Sequence, residues 1–215
     1  TSMQNIEFGA QRFSARADRT LWHPDSSTLL LSDLHLGKGA HFRQSGIPVP
    51  DGGETDDLNR LSNAITETNT TSVWILGDLF HHPPSITDAQ MDRWTNQLSG
   101  LKVQFHVILG NHDRKAQPFA AALDFQIHPE PTLWRGVELA HHPDHGSQAR
   151  IAGHVHPQIE FKTAADHLVC ACFAVTDQRL LLLPAFTAFS GGPRFQPREA
   201  SCYAIVGNEV LPPYI

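Results

Sequence analysis

Side chains that can bind a metal ion follow the apolar runs of this sequence at five places. The five motifs are Asp33-Leu34-His35, Gly77-Asp78, Gly110-Asn111-His112-Asp113, Ala140-His141-His142 and Gly153-His154-Val155-His156. In open α/β sheets, ligand sites gather at the carboxyl ends of the strands. We therefore expect the five motifs to meet at one edge of a sheet and to build a single site.

Taken one at a time, these motifs have simpler explanations. Gly-Asp and Gly-Asn-His-Asp are also turn sequences, because glycine, asparagine and aspartate favour turns. A single Asp-x-His is weak support for a metal site, and Gly-His-Val-His is more specific. Five such motifs in this order are much harder to explain as turns, so the set as a whole predicts a metal centre.

The chemistry of the centre follows from the ligand types. The candidate ligands offer carboxylate or amide oxygen and imidazole nitrogen, with no thiolate; they are Asp33, His35, Asp78, Asn111, His141, His154 and His156. This set disfavours a cysteine-based structural zinc site and suits Mn²⁺, Fe or Zn²⁺ in a catalytic site. Seven ligands exceed the need of one ion with an open position, so we expect two ions, about 3.5–4 Å apart, sharing a bridging carboxylate. On a strand, residues i and i+2 of Asp-x-His and His-x-His would point the same way.

Strands and helices alternate in the first half of the sequence. Predicted strands cover residues 27–37, 72–80 and 102–113, and predicted helices cover residues 54–68 and 86–101. Leu58, Leu61 and Ile65 recur at helical spacing in the first helix. Thr87 can cap the second helix and Gly100 can end it. This order predicts βαβ units and a parallel sheet.

The pattern changes after about residue 117, where short apolar runs are joined by turns. We expect strands within residues 123–128, 132–142, 149–161, 167–175, 179–186, 201–207 and 209–215. The fold class is therefore α/β, a sandwich in which a mixed sheet faces a more antiparallel sheet. Two long loops, residues 37–53 and 187–199, are expected to be functional, because long loops in compact domains often are.

Composition narrows the class of protein. The length of 215 residues favours one domain over residues 1–215; Thr1 and Ser2, which precede Met3, are interpreted as left over from protein expression. No apolar run is long enough for a membrane span and no secretory signal is visible, so we expect a cytoplasmic protein without membrane contact.

Three cysteines do not suggest a disulfide framework, which agrees with a reducing compartment. The net charge of −6 argues against broad adhesion to duplex nucleic acid, although bound metal ions can supply local positive charge.

The five motifs, in this order, resemble those of the calcineurin-like metallophosphoesterase superfamily. The resemblance implies a four-layer αββα sandwich, with two mixed sheets flanked by helices. It also implies roles for the candidate ligands: Asp33, His35 and His156 would hold one ion, Asn111, His141 and His154 would hold the other, and Asp78 would bridge them. His112 would be the catalytic histidine and Asp113 its orienting partner. His142 adjoins His141, and the first histidine after the strand is the preferred ligand.

Longer stretches resemble one group within this superfamily. The segments "DLHLGKGAHFRQSGIPVP", "GNHDR", "GHVHP" and "LLLPAFTAFSGG" are similar to the bacterial ligase-associated DNA damage response endonucleases. This likeness implies a Mn²⁺-dependent enzyme that acts on DNA ends or single strands alongside a DNA ligase, an exonuclease and a helicase. The stretch "GDLFHH" also resembles a family of DNA-repair nucleases, in which His81 would face the substrate phosphate.

Basic residues close to the motifs are candidates for binding the substrate. Lys38, Arg43 and Arg114 are the main ones, with His41 and Arg194 as further members of a phosphate-binding rim. Arginine suits bidentate contact with phosphate, although a solvated basic loop would look the same in the sequence. Two other functions stay open. A phosphoesterase for a small molecule, such as a cyclic nucleotide, agrees with the acidic net charge, whereas a non-catalytic scaffold is disfavoured because all motif residues are present.

Overall fold

The computed structural model describes residues 2–49, 52–109, 115–144, 146, 148–162, 167–177, 179–188, 190–196 and 198–214. The strands are β1 (Met3–Phe8), β2 (Gln11–Arg16), β3 (Leu21–His23), β4 (Thr28–Leu31), β5 (Ser72–Leu76), β6 (Gln104–Ile108), β7 (Gln126–His128), β8 (Thr132–Trp134), β9 (Val137–Ala140), β10 (Arg150–Ala152), β11 (Gln158–Lys162), β12 (His167–Thr176), β13 (Leu180–Leu182), β14 (Arg194–Phe195), β15 (Ser201–Val206) and β16 (Glu209–Val210). The α-helices are α1 (Lys38–Gln44), α2 (Gly53–Thr68), α3 (Asp88–Ser99) and α4 (Gln117–Ala122).

The first sheet has the order β1-β2-β3-β4-β5-β6-β7 in the described part of the chain. Strands β4 to β7 are parallel, which confirms the βαβ prediction, and β1 to β4 pair antiparallel. The sequence analysis missed the β1–β2 hairpin. Its two turn residues, Gly9 and Ala10, both have positive φ (56° and 59°), as a type I′ turn requires, but alanine is not a usual residue for such a turn.

The second sheet has the order β14-β11-β12-β13-β10-β9-β8 in the described residues, and β15 pairs with β12 while β16 pairs with β15. Strand β10 lies parallel to both β9 and β13, while β12 is antiparallel to β11, β13 and β15. Both sheets are therefore mixed, as predicted. Because β9, β10 and β13 run in the same direction, their carboxyl ends lie together at one edge.

Apolar residues that alternate along the strands separate two layers of core. Leu29 and Leu31 of β4 pack with helices α2, α3 and α4 on one face of the first sheet. Leu30, which lies between them, faces the second sheet and packs with residues of β9, β10, β12 and β13. In the described part of the chain the α-helices all precede Leu123, and α2, α3 and α4 pack on the first sheet. Val155, Phe195 and Leu211 pack against a third apolar cluster on the second sheet.

The helix signals of the sequence agree with the structure in α3. The Thr87 hydroxyl accepts a hydrogen bond from the Gln90 backbone N–H at 3.3 Å, and Gln90 Oε1 accepts one from the Thr87 N–H at 3.0 Å. This reciprocal pair is a capping box, and Gly100 is the C-terminal cap. Helix α1, in contrast, lies inside the first predicted loop and was missed.

None of the helices in the described part of the chain is long and apolar enough to cross a membrane. Cys170, Cys172 and Cys202 are buried and free. Cys170 and Cys172 lie on β12, where alternating residues share a face, as the sequence suggested.

We expect Leu61→Ala to lower the free energy of unfolding by about 2–5 kcal/mol, because the truncation leaves a cavity in the core beneath α2. Leu61 is fully buried. Leu133→Ala is the matched control, since Leu133 is 63% exposed, and it should change stability by less than about 0.5 kcal/mol. Urea denaturation followed by circular dichroism measures both. Equal losses in the two variants would contradict the assignment of this core.

Candidate active site

Six of the predicted ligands converge at the edge where strands β4, β5, β9 and β10 end. They fall into overlapping groups whose nitrogen and oxygen atoms lie within 4.8 Å of one another. One group is Asp33, His35 and His156; a second is Asp33, Asp78 and His141; a third is His141, His142 and His154. Because Asp33 belongs to two groups and His141 to two, the seven residues of these groups, which are the six predicted ligands and His142, form one continuous cluster.

The backbone at five of the six predicted ligands is in the left-handed conformation, which is uncommon for residues other than glycine. The φ angles are 55° for Asp33, 51° for His35, 44° for Asp78, 64° for His154 and 52° for His156. The prediction that Asp-x-His and His-x-His lie along a strand is therefore wrong: a turn with two left-handed residues brings the side chains together, while the intervening Leu34 is buried in the core. Such conformations cost about 1–3 kcal/mol each and are concentrated at functional sites.

Asp33 lies at the centre of the first group and its side chain is completely buried. The backbone N–H of His154 donates to Asp33 Oδ2 at 3.0 Å, and His156 Nε2 lies 3.0 Å from Asp33 Oδ1. Burial by itself would raise the pKa of Asp33, but the nearby His156 and His141 hold that pKa below its ordinary value. The carboxylate is therefore ionised at neutral pH.

Several buried atoms of this group lack a hydrogen-bond partner among the described residues: Asp33 Oδ1, His156 Nε2 and both ring nitrogens of His35. Leaving buried polar atoms unpaired is costly, so such atoms need an explanation. Burial, reinforced by Lys38, lowers the pKa of His35 to about 3, which keeps its ring neutral, the form that binds metals. One divalent cation would satisfy an atom of each of the three side chains, so these residues fit a metal ion.

His141 connects the other two groups. Its Nδ1 lies 3.1 Å from the carbonyl oxygen of Leu76, which can only accept a hydrogen bond, so Nδ1 carries the proton. Its Nε2 faces Asp78 Oδ1 at 3.6 Å and His154 Nδ1 at 3.1 Å. A backbone carbonyl that fixes the tautomer in this way is a usual partner of a metal-binding histidine.

Asp78 lies between the two ends of the cluster. Its Oδ2 is 3.8 Å from His35 Nε2, and its Oδ1 faces His141. Burial raises the pKa of Asp78, with Asp33 contributing in the same direction. A carboxylate with one oxygen toward each group has the geometry of a bridging ligand.

His142 differs from His141 in its contacts. The His142 backbone N–H donates to Glu130 Oε1 at 2.6 Å, and its Nδ1 lies 3.1 Å from both oxygens of Glu130. Its ring centroid is also 4.8 Å from that of His154, so it adjoins the cluster. The sequence analysis missed Glu130, because no motif near this residue in the sequence indicates a contact with the site.

The second long loop, also expected to be functional, contacts the cluster. His156 Nδ1 lies 3.3 Å from the carbonyl oxygen of Gly191. A Cβ atom on Gly192 would lie 2.1 Å from the carbonyl oxygen of His156, so only glycine fits there. Lys38 Nζ donates to Ser190 Oγ at 2.7 Å, which joins this loop to α1.

A segment just before this loop holds the backbone of Asp33, and the sequence analysis missed it as well. The Phe186 N–H donates to the Ser32 carbonyl at 2.8 Å, and the Thr187 N–H donates to the Asp33 carbonyl at 3.3 Å. Two arginines bind the same segment. Arg19 donates a hydrogen bond to the carbonyl of Thr187 at 2.8 Å, and Arg60 donates one to the carbonyl of Phe186.

The other predicted site residues do not all belong to the described part of the chain. Asn111, His112, Asp113 and Arg114 lie outside the described residues. Lys38 and Arg43 belong to α1, next to His35. The His81 ring centroid is 5.6 Å from that of His35, and burial, reinforced by Lys38, lowers the pKa of His81 to about 4. Arg194 pairs with Glu160 at 3.0 Å.

Residues 26–158 match the family model of the calcineurin-like phosphoesterases. The chain belongs to this family. The predicted resemblance is confirmed, and the protein is a metal-dependent phosphoesterase. Among solved structures, the phosphoesterase is similar to the crystal structure of nuclease MPE from Pseudomonas putida, with 29% sequence identity and a TM-score of 0.82 over 98% of this chain and 100% of that chain. No match was found among curated proteins.

Gly77→Ala is expected to weaken metal binding by the phosphoesterase at least about 10-fold, as loss of a group that orients a ligand does. The added Cβ would lie 2.1 Å from His141 Nδ1, and Gly77 has a φ of 77°. The matched control is Gly136→Ala, because Gly136 has a φ of 86° but no atom within 4 Å of the added Cβ.

Both variants carry backbone strain, and only Gly77→Ala displaces His141. Calorimetric titration with Mn²⁺ compares their affinities. Equal affinity in the two variants would show that His141 does not depend on this glycine.

Proposed function

We propose that this phosphoesterase is a two-metal nuclease that hydrolyses phosphodiester bonds at DNA ends or in single-stranded DNA during DNA repair. The observation that carries the proposal is the continuous cluster of Asp33, Asp78 and four histidines, which has ligand atoms for two ions. The similarity to nuclease MPE over nearly the whole chain supports DNA as the substrate.

The proposed ligand sets are those that the family resemblance implies, and the first of them is also one of the three geometric groups. Asp33, His35 and His156 hold one ion, and Asp78 bridges to the other. His141 and His154 hold the second ion together with Asn111, which the sequence motif supplies. Oxygen and nitrogen ligands without thiolate suit Mn²⁺, with Fe or Zn²⁺ as alternatives. When bound, two such ions lower the pKa of a water molecule and stabilise negative charge on phosphoryl oxygens.

The protein's own residues complete the proposed chemistry. His112 donates a proton to the leaving oxygen, and Asp113 fixes the orientation of the His112 ring. His81, Lys38, Arg43 and Arg114 contact the phosphate groups of the substrate. Lys38 is well suited to this role, since its charge already interacts with Asp33 and Asp78.

A role in repair alongside a DNA ligase, an exonuclease and a helicase is part of the proposal. It is supported by the likeness of both long loops to the ligase-associated endonucleases. The free cysteines agree with work in the reducing cytoplasm.

A phosphoesterase for a small nucleotide is the second candidate. The net charge of −6 favours it, because binding of long nucleic acids generally relies on clusters of lysine and arginine.

The Mn²⁺-loaded protein is expected to cut single-stranded DNA and a small phosphodiester, and His112→Ala should lower both rates about 10²- to 10⁴-fold, as loss of a general acid does. The matched control is His167→Ala, because the His167 side chain is 50% exposed and contacts Glu160. Initial rates are measured on single-stranded DNA, duplex DNA, a small diester and a monoester, before and after removal of metal with a chelator.

Cleavage of the small diester with survival of every DNA form would contradict the nuclease proposal and favour the second candidate. Absence of cleavage with every divalent metal tested would contradict a catalytic role altogether.

The assignment of His141 rather than His142 has its own test. We expect His141→Ala to lower metal affinity by more than about 100-fold, because it removes a ligand, and His142→Ala to lower it by less than about 10-fold. The two adjacent histidines serve as controls for each other. Metal content after dialysis and calorimetric titration measure the difference. A larger loss in His142→Ala would transfer the ligand role to His142.

A further inference from the structure

Helix α1 is an unusual element beside the metal cluster. It follows His35 almost directly, yet none of its seven residues, all of them described, is buried. Most short helices in proteins are stabilised by an apolar face packed on the core. Helix α1 instead shows partly exposed His41 and Phe42 at the surface. We therefore look for the role of α1 at the neighbouring metal site and not in the packing of the core.

Four aromatic rings form a cluster at this helix. The His41 ring centroid is 5.2 Å from that of His81 and 4.8 Å from that of His82, and Phe42 is 5.3 Å from His81. These separations are in the range of favourable aromatic contacts. His82 is exposed, and the other three rings are partly exposed. The cluster therefore presents aromatic surface to solvent.

This ring cluster begins at the metal site. His81 is 5.6 Å from His35, and His35 is 5.8 Å from His156, measured between ring centroids. Lys38 Nζ lies 5.9 Å from the Phe42 ring centroid, so a cation flanks the cluster. A substrate whose phosphate lies at the metal site would place its neighbouring groups on these rings.

Resting on the proposed nuclease function, in which His81 contacts the phosphate, we propose that the neighbouring rings of His41, Phe42 and His82 form a stacking surface for the bases that flank the scissile phosphate of single-stranded nucleic acid. Aromatic rings, including histidine, stack on unpaired bases whatever the sequence. In a duplex the faces of the bases are covered by their neighbours, so this surface favours single strands. The acidic net charge of −6 limits binding through phosphates and increases the importance of stacking.

The test compares two substrates of equal length and charge: an oligothymidylate and an oligomer with abasic sites throughout. For the Mn²⁺-loaded wild type, kcat/KM should be about 10-fold higher on the substrate with bases, the effect expected when a base loses its stacking partner. In Phe42→Ala this ratio should fall to about 1–2, and Phe42→Trp should restore it. The matched control is Ile47→Ala, because Ile47 is an exposed apolar residue near α1 without a ring; it should keep the wild-type ratio.

Each outcome supports or overturns the stacking surface. A wild-type ratio near 1 overturns it, as does a Phe42→Ala variant that keeps the wild-type ratio. An equal loss on both substrates in Phe42→Ala also overturns it, because the ring would then only support α1. If neither DNA form is cut while a small diester is, the nuclease proposal itself fails and the stacking surface fails with it.

Discussion

A fully buried carboxylate, that of Asp33, is the constraint on which the rest of the structure depends. Removing an ionised carboxylate from water costs several kcal/mol unless charges and hydrogen bonds compensate. Asp33 Oδ2 accepts a hydrogen bond from the His154 backbone N–H, while Oδ1 faces His156 and has no partner with hydrogen-bond geometry among the described residues. The described residues therefore compensate only in part for the negative charge that the Asp33 carboxylate carries in the interior. Such a site is suited to binding a cation.

Both sheets contribute to holding that carboxylate in place. Strand β4 delivers Asp33 from the first sheet, and the segment after β13 joins it from the second sheet through a bridge between Ser32 and Ala185. Arg19 and Arg60 bind the outer carbonyls of this segment. The left-handed turns on either side are stable because the surrounding packing determines them, as with Leu34 in the core.

The sequence predicted the membership of the site better than its local geometry. Asp33, Asp78 and His154 could be grouped because each follows an apolar run, a local signal that parallel strands convert into proximity. The left-handed turns could not be foreseen, because aspartate and histidine adopt that conformation more often than most residues but still only in a minority of cases. Glu130 could not be predicted either, because its contact with His142 joins residues twelve positions apart and no sequence motif marks Glu130.

Elements without an apolar stripe were also beyond sequence reasoning. Helix α1 has no buried residue to produce a helical periodicity, so the segment reads as a loop. The β1–β2 hairpin turns through Gly9 and Ala10 instead of a pair such as Asn-Gly. In both cases the local sequence permits the observed backbone conformation, but contacts with the rest of the protein determine that it forms.

The pairing of Ser32 with the segment after β13 also has a consequence for biosynthesis. The Ser32 hydroxyl and the carbonyl that it contacts belong to residues 152 positions apart, and the family match ends at residue 158, before that segment begins. At about 5–20 residues per second, a ribosome needs roughly 8–30 s to make the intervening chain. During this interval the nascent protein has Asp33 and His35, and the contacts that enclose Asp33 are completed only after the segment that follows β13 has been synthesised.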